Sequence, residues 1–215
     1  GADLRVESPG FITHQGRAVL PRGSGELEWE ENGVLVTHPL ALRPDGVLPS
    51  LVRRGQFFQR ATGGRFTAIE ASDFNLLGRF YFEGAAAIRP VLKQRRAAGF
   101  NMCRVWTNYD NPTIGRLLIR EQPAVYDQIP AFVRLLATYG LYPEFTCYTG
   151  FGVNGAPRHW DALTAVLSQT PWALVSLVNE QNQHHNAVDL ATYARPSELI
   201  CSHGSNGADA YPVKP

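Results

Sequence analysis

Residues 97–110, AAGFNMCRVWTNYD, change character twice in quick succession. The alanines close a segment, AAAIRPVLKQRRAAGF, in which Ile88, Val91 and Leu92 share one helical face. Gly99 stands where a helix ends on a left-handed residue. NMCRVWTNYD then reads as a strand. The same hand-over from helix to strand recurs along the chain. RFTAIEASDF, starting at Arg65, is expected as a first strand, and NMCRVWTNYD is the second. AVYDQIPAFVRLLATYGL places Ile129, Phe132, Val133 and Leu136 at helical spacing, with Gly140 closing the helix. YPEFTCYTG is a third strand, HWDALTAVLSQTP a third helix and WALVSLVNE a fourth strand. ATYARPSELICSHG reads as a short helix running into a fifth strand.

Strands alternating with helices at this spacing imply right-handed crossovers and a parallel sheet. Both a TIM-type barrel and a doubly wound sheet satisfy that order. The loop after the first strand, EASDFNLLGRF, has no G-x-G-x-x-G, and no P-loop occurs anywhere, so phosphate cradling has no support. Upstream lie short β-like runs broken by Gly and Pro, GFITHQGRAVLPRGSG and NGVLVTHPLALRPDG, in which no helical period survives. A hairpin-like run, GQFFQRATGGRFTAIEAS, turns at Gly63-Gly64. The division expected is a β-rich segment over 1–54 and an α/β unit over 55–215.

Composition narrows the classes. With 215 residues, 44% hydrophobic and 18% charged, the chain can bury a substantial core. Twenty Lys and Arg against nineteen Asp and Glu leave a formal charge of +1, so there is no basic surplus to argue for a nucleic-acid partner. No apolar run is long enough to span a bilayer. Cys103, Cys147 and Cys201 lie in apolar strand-like runs without CxxC spacing, and read as buried free thiols rather than a disulfide framework or zinc site. His184 and His185 read as a solvated loop. No metal and no cofactor is expected.

In parallel α/β architectures, ligands meet the carboxyl ends of the strands. Those ends are expected at Glu70, Ser72 and Asp73; at Arg104, Trp106, Asn108, Tyr109 and Asp110; at Tyr148 and Thr149; at Asn179, Glu180, Gln181 and Asn182; and at His203, Ser205 and Asn206. Glu70, Arg104, Tyr148 and Glu180 are expected at one end of the sheet. Carboxylates, amides and aromatics dominate, while lysines and Cys/His clusters are scarce. Such a set suits a carbohydrate, whose rings stack on Trp and Tyr while Asn, Arg and carboxylates take the hydroxyls. Most strand-exit glutamates are simply solvated, so the signal is the coincidence at one end of one sheet.

AAGFNMCRVWTNYD resembles the second-strand motif of the clan of retaining glycoside hydrolases built on (β/α)8 barrels, in the cellulase and mannanase superfamily. WALVSLVNEQN resembles the fourth-strand motif of that clan, an apolar strand ending in Asn-Glu, and FFQRATGGRFTAIEASDFNLL resembles the lead-in to its first strand. The resemblance implies an α/β fold of TIM type, about the first half of the barrel, with strands 1 to 5 over 55–215. It implies that Glu180 is the general acid/base, that Asn179 bonds the sugar 2-hydroxyl, and that Arg104 holds a nucleophilic carboxylate ionised. Trp106 and Tyr148 would line the sugar subsites, and Asn108 joins them as a substrate-binding amide. The nucleophile of the clan ends its seventh strand, and a whole barrel needs about 250 residues. The remainder of the barrel is therefore expected from the same chain or another. Glu70 is a poor substitute, because retaining chemistry needs carboxylates about 5 Å apart and the first and fourth exits are well separated. A polysaccharide would be the substrate. The competing expectation is a non-catalytic carbohydrate-recognising or structural module of a phage tail or other surface-contacting assembly. Either fits an extracellular or virion-associated setting.

Overall fold

The computed structural model describes residues 5–8, 11–14, 17–19, 21–22, 26–31, 34–39, 46–54, 57–63, 65–119, 121–149, 156–179 and 200–202. The first part is antiparallel. Arg5–Ser8, Phe11–His14 and Arg17–Val19 form one three-stranded sheet, and Pro21–Arg22, Glu26–Glu31 and Val34–Pro39 form a second. Leu51–Arg54, Phe57–Arg60 and Arg65–Phe66 form a third. Gly63, at φ +97°, takes the left-handed turn position before Arg65–Phe66, as the Gly-Gly pair predicts.

A five-stranded parallel sheet follows: β1 (Glu70–Ser72), β2 (Met102–Trp106), β3 (Tyr142–Tyr148), β4 (Leu174–Val178) and β5 (Ile200–Ser202). Its strands lie side by side in chain order, with every pairing parallel. Among the described strands the order contains no reversal, and so no switch point of the kind that marks a doubly wound fold. Among the described residues it does not close into a barrel. The connecting helices are α1 (Leu76–Glu83) and α2 (Ala85–Ala97) between β1 and β2, α3 (Val125–Thr138) between β2 and β3, and α4 (Ala156–Leu167) between β3 and β4. A two-stranded hairpin, Tyr109–Asn111 with Gly115–Leu117, interrupts the connection from β2 to α3. The short helix expected before β5 falls outside the described residues.

Alternation decides which residues meet the helices. Cys103 and Val105 of β2, Phe145 and Cys147 of β3, and Val175 and Leu177 of β4 are all buried. They join one core with Ile88 and Leu92 of α2, Ile129, Phe132, Val133 and Leu136 of α3, and Leu163 and Leu167 of α4. Phe132 sets its ring edgewise to Phe145 at 6.0 Å and to Phe80 at 5.4 Å. Burial pushes the Cys103 and Cys147 thiols well up, and both are free, in line with the sequence reading. The Cys201 side chain lies outside the described residues. Gly99 and Gly140 close α2 and α3 at φ +85° and +70°.

The expected first strand over 65–74 is two strands instead. Arg65–Phe66 pairs antiparallel with Phe57–Arg60, and Glu70–Ser72 pairs parallel with β2. Between them the fully buried Asn101 intervenes: its Oδ1 accepts from Ile69 N at 2.8 Å, and its Nδ2 donates to Thr67 O at 2.7 Å. The side chain takes the backbone groups that a continuing ladder would have used. Glu70 therefore begins its strand. Its register partner is Met102, which is itself level with Tyr142. Among the residues expected at the carboxyl end, Glu70 lies toward the opposite end of the sheet.

Candidate functional site

Arg104 is the centre of the polar face. Register aligns it with Ser72 on β1 and Glu144 on β3, so these residues share one level and one face. Its guanidinium runs toward the carboxyl ends of the strands. Nε donates to Thr146 Oγ1 at 3.1 Å, and Nη2 donates to Asn179 Oδ1 at 3.0 Å. Asn179 is buried, and its own N–H is held by Tyr148 O at 2.8 Å. Guanidinium has only donors, so it fixes the Asn179 carboxamide with its oxygen toward Arg104. The Asn179 NH2 is thereby turned away from Arg104. Beside Thr146 in register lies Ser176, fully buried, whose Oγ has no hydrogen-bond partner among the described residues.

Two carboxyls complete the face. Glu144 Oε1 is 4.0 Å from Arg104 Nε. Glu70 is in hydrogen-bond contact with Glu144, and its pKa is pushed up to about 8. Desolvation is the largest cause, followed by the Glu144 charge and the hydrogen bond, with Arg104 pulling the other way. Sequence reasoning missed Glu144 and Thr146. Their signal was available in YPEFTCY, where two polar residues alternate with Phe145 inside an apolar run.

The remaining expected residues take varied places. Trp106 is half-buried, stacks on Phe74 at 4.0 Å, and has an indole N–H without a partner among the described residues. Tyr148 is 2% exposed, its ring nearly perpendicular to that of His159 at 5.4 Å. Asn108 is occupied in loop structure: its Oδ1 accepts from Ile119 N at 3.4 Å, and its carbonyl accepts from Thr149 Oγ1 at 2.7 Å. Asp73 is committed to Arg95 of α2 through a two-pronged ion pair, with contacts of 2.6 to 3.1 Å. Glu180 lies outside the described residues.

Near these strand ends runs a buried hydrogen-bonded chain absent from the sequence reading. Thr107 Oγ1 lies 3.1 Å from Thr146 O, 3.2 Å from Cys147 O and 2.9 Å from His159 Nε2. Tyr126 OH lies 2.6 Å from His159 Nδ1. The threonine hydroxyl has one proton, which goes to a carbonyl, so it accepts from Nε2–H. The bare Nδ1 then accepts from Tyr126. This chain ties α3, α4 and the exits of β2 and β3 together with a neutral imidazole.

A polar, arginine-centred cluster on one face of a sequentially ordered parallel sheet is the class of site this α/β protein carries. A solved structure of a glycoside hydrolase family 5 protein from Bacteroides vulgatus is similar to the chain at 13% identity and a TM-score of 0.49, over 72% of this chain and 38% of that one. The chain thus spans well under two thirds of that protein's length. No protein-family profile and no curated protein matches it.

Proposed function

We propose that this chain is the N-terminal part of a (β/α) barrel of the retaining glycoside hydrolase type, acting on a polysaccharide. One observation carries the reading. Arg104 of β2 and Asn179 at the end of β4, the two residues singled out by the strand motifs, are hydrogen-bonded to each other at 3.0 Å. In this reading the oriented Asn179 NH2 bonds the sugar 2-hydroxyl. The next residue, Glu180, donates its proton to the departing glycosidic oxygen. A carboxylate from outside residues 1–215 attacks the anomeric carbon and later releases the sugar to water. The remainder of the barrel is then a partner of the five strands described.

The test uses the protein in its full natural length, assayed on aryl glycosides and on unactivated polysaccharides. Glu180→Gln should slow hydrolysis of unactivated substrates by on the order of a hundred to ten thousand-fold. Aryl substrates, whose leaving groups need little protonation, should lose much less. Asn179→Ala should slow both, because the 2-hydroxyl contact tightens in the oxocarbenium-like transition state. Equal losses on both substrate types for Glu180→Gln would remove the acid/base role. Retention of polysaccharide in an affinity gel without any product would replace the enzyme by a carbohydrate-recognising module.

A further inference from the structure

Arg104 stands between two kinds of partner. Toward the carboxyl end of the sheet it holds neutral acceptors, Thr146 Oγ1 at 3.1 Å and Asn179 Oδ1 at 3.0 Å. On the other side lies a charged one, Glu144, with Oε1 4.0 Å from the same Nε. An arginine with an ionised carboxylate beside it ordinarily closes a short, two-pronged contact, about twice as strong as a neutral hydrogen bond. Here it does not. The difference lies in what Glu144 is already doing, since its carboxylate meets the Glu70 carboxyl reaching across β2 from the start of β1. Two carboxyl groups in hydrogen-bond contact share a proton. With Glu70 holding that proton, its hydrogen bond engages the Glu144 carboxylate and the pair carries a single negative charge.

We propose that Glu70 and Glu144 act as positioning residues, and that the proton they share decides whether Arg104 orients Asn179. With the proton in place, the pair and Arg104 balance charge for charge, and the guanidinium reaches up to Thr146 and Asn179. When the proton leaves to solvent, two full carboxylates face one guanidinium. Arg104 is drawn down onto them, and the Asn179 carboxamide loses the donor that fixes its orientation. Part of Glu70 stays exposed although its carboxyl is desolvated against Glu144, so the proton has a path to water. The raised pKa of Glu70 places the change in mildly alkaline solution.

Among the described residues, the other groups near the pair do not supply a competing charge. The Cys103 thiol feels the charge of Glu70, but burial pushes it well up, and it stays neutral. Tyr142, level with Glu70, donates its hydroxyl to Pro49 O at 2.9 Å. Asp73 is neutralised by Arg95. The contacts that join Glu70, Glu144, Arg104 and Asn179 carry this switch whatever reaction the site performs.

The experiment follows the Asn179 side-chain NH2 and the Arg104 Nε–H by proton–nitrogen NMR from pH 6 to pH 10. Both signals should move together through one midpoint near the raised Glu70 value. Glu70→Gln keeps the hydrogen bond and cannot ionise, so its Asn179 signal should stay at the low-pH position throughout. Glu144→Gln should also abolish the joint transition, and serves as an independent variant should the first fold poorly. Asn179 and Arg104 signals that stay flat in the wild type while the Glu70 carboxyl titrates would overturn the proposal. So would an unchanged joint transition in either glutamine variant.

Discussion

Arg104 and Asn179 are joined at 3.0 Å across an intervening strand, with Arg104 on β2 and Asn179 at the end of β4. The contact binds the middle of one strand to the exit of another, and it passes over Thr146 of β3, which the same guanidinium also holds. Planarity makes this possible, because the arginine fork presents separate donors in fixed directions.

Arg104→Lys tests that geometry. One ammonium keeps the charge but does not hold Thr146 and Asn179 in the same fixed fork. The expected loss is about 1–2 kcal/mol in urea unfolding, with the denaturant slope unchanged. A double-mutant cycle with Asn179→Ala should return a coupling of at least about 0.5 kcal/mol. Strict additivity would mean that the two residues stabilise the sheet separately.

Asn101 makes the second prediction. Its carboxamide satisfies Ile69 N–H and Thr67 C=O where the chain passes from the antiparallel hairpin into β1. Asn101→Ala leaves both groups without that partner and should cost about 2–3 kcal/mol. Asn101→Asp keeps the acceptor, loses the donor and buries a carboxylate, so it should cost at least as much. A cost below about 0.5 kcal/mol for the alanine variant, as for an ordinary surface site, would show that water replaces the side chain without penalty.

That residue also marks where sequence reading stops. Period-two patterning from Arg65 to Ser72 slips at Ala68-Ile69, two apolar residues in succession, and this slight local sign of the break does not say what holds it. The cause sits more than thirty residues downstream, at Asn101. Helices α2 and α3 were legible from apolar spacing and closing glycines, and α4 and the parallel strands from apolar patterning, all of which are local. Helix α1 was not. Its sequence LLGRFYFE is short and buries Leu76, Leu77, Gly78 and Phe80, so it lacks a clean polar face. Gly78 looks like a helix breaker, yet any Cβ there would collide with the Tyr109 hydroxyl. In the site, Arg104 and Asn179 were legible from their strands. Glu144 left a signal in the polar alternation of its strand that went unread, whereas His159 stands on a helix, and only the fold shows what it faces.

His159 gives the last prediction, a pH dependence of stability. The ring is 8% exposed, between Tyr126 and Thr107. Burial lowers its pKa from 6.5 to about 4, against a smaller upward pull from the backbone of Cys147. In the unfolded chain the imidazole titrates near its ordinary value, so between these two values the unfolded state binds more protons than the folded one. Stability is therefore full above about pH 6.5. It falls as the pH drops and levels off below the folded value of about 4. The whole effect is roughly 3 kcal/mol, to order of magnitude. Other carboxylates titrate over the same range, so the informative quantity is the difference between wild type and His159→Gln. Glutamine offers both an acceptor and a donor to the chain and does not ionise. Urea unfolding at intervals from pH 7.5 to pH 4 should show the wild type losing stability more steeply than the variant, the gap closing in on that figure near the acid end. Parallel curves would mean that the buried imidazole accepts its second proton without loss, with the Tyr126 hydroxyl turning to receive it.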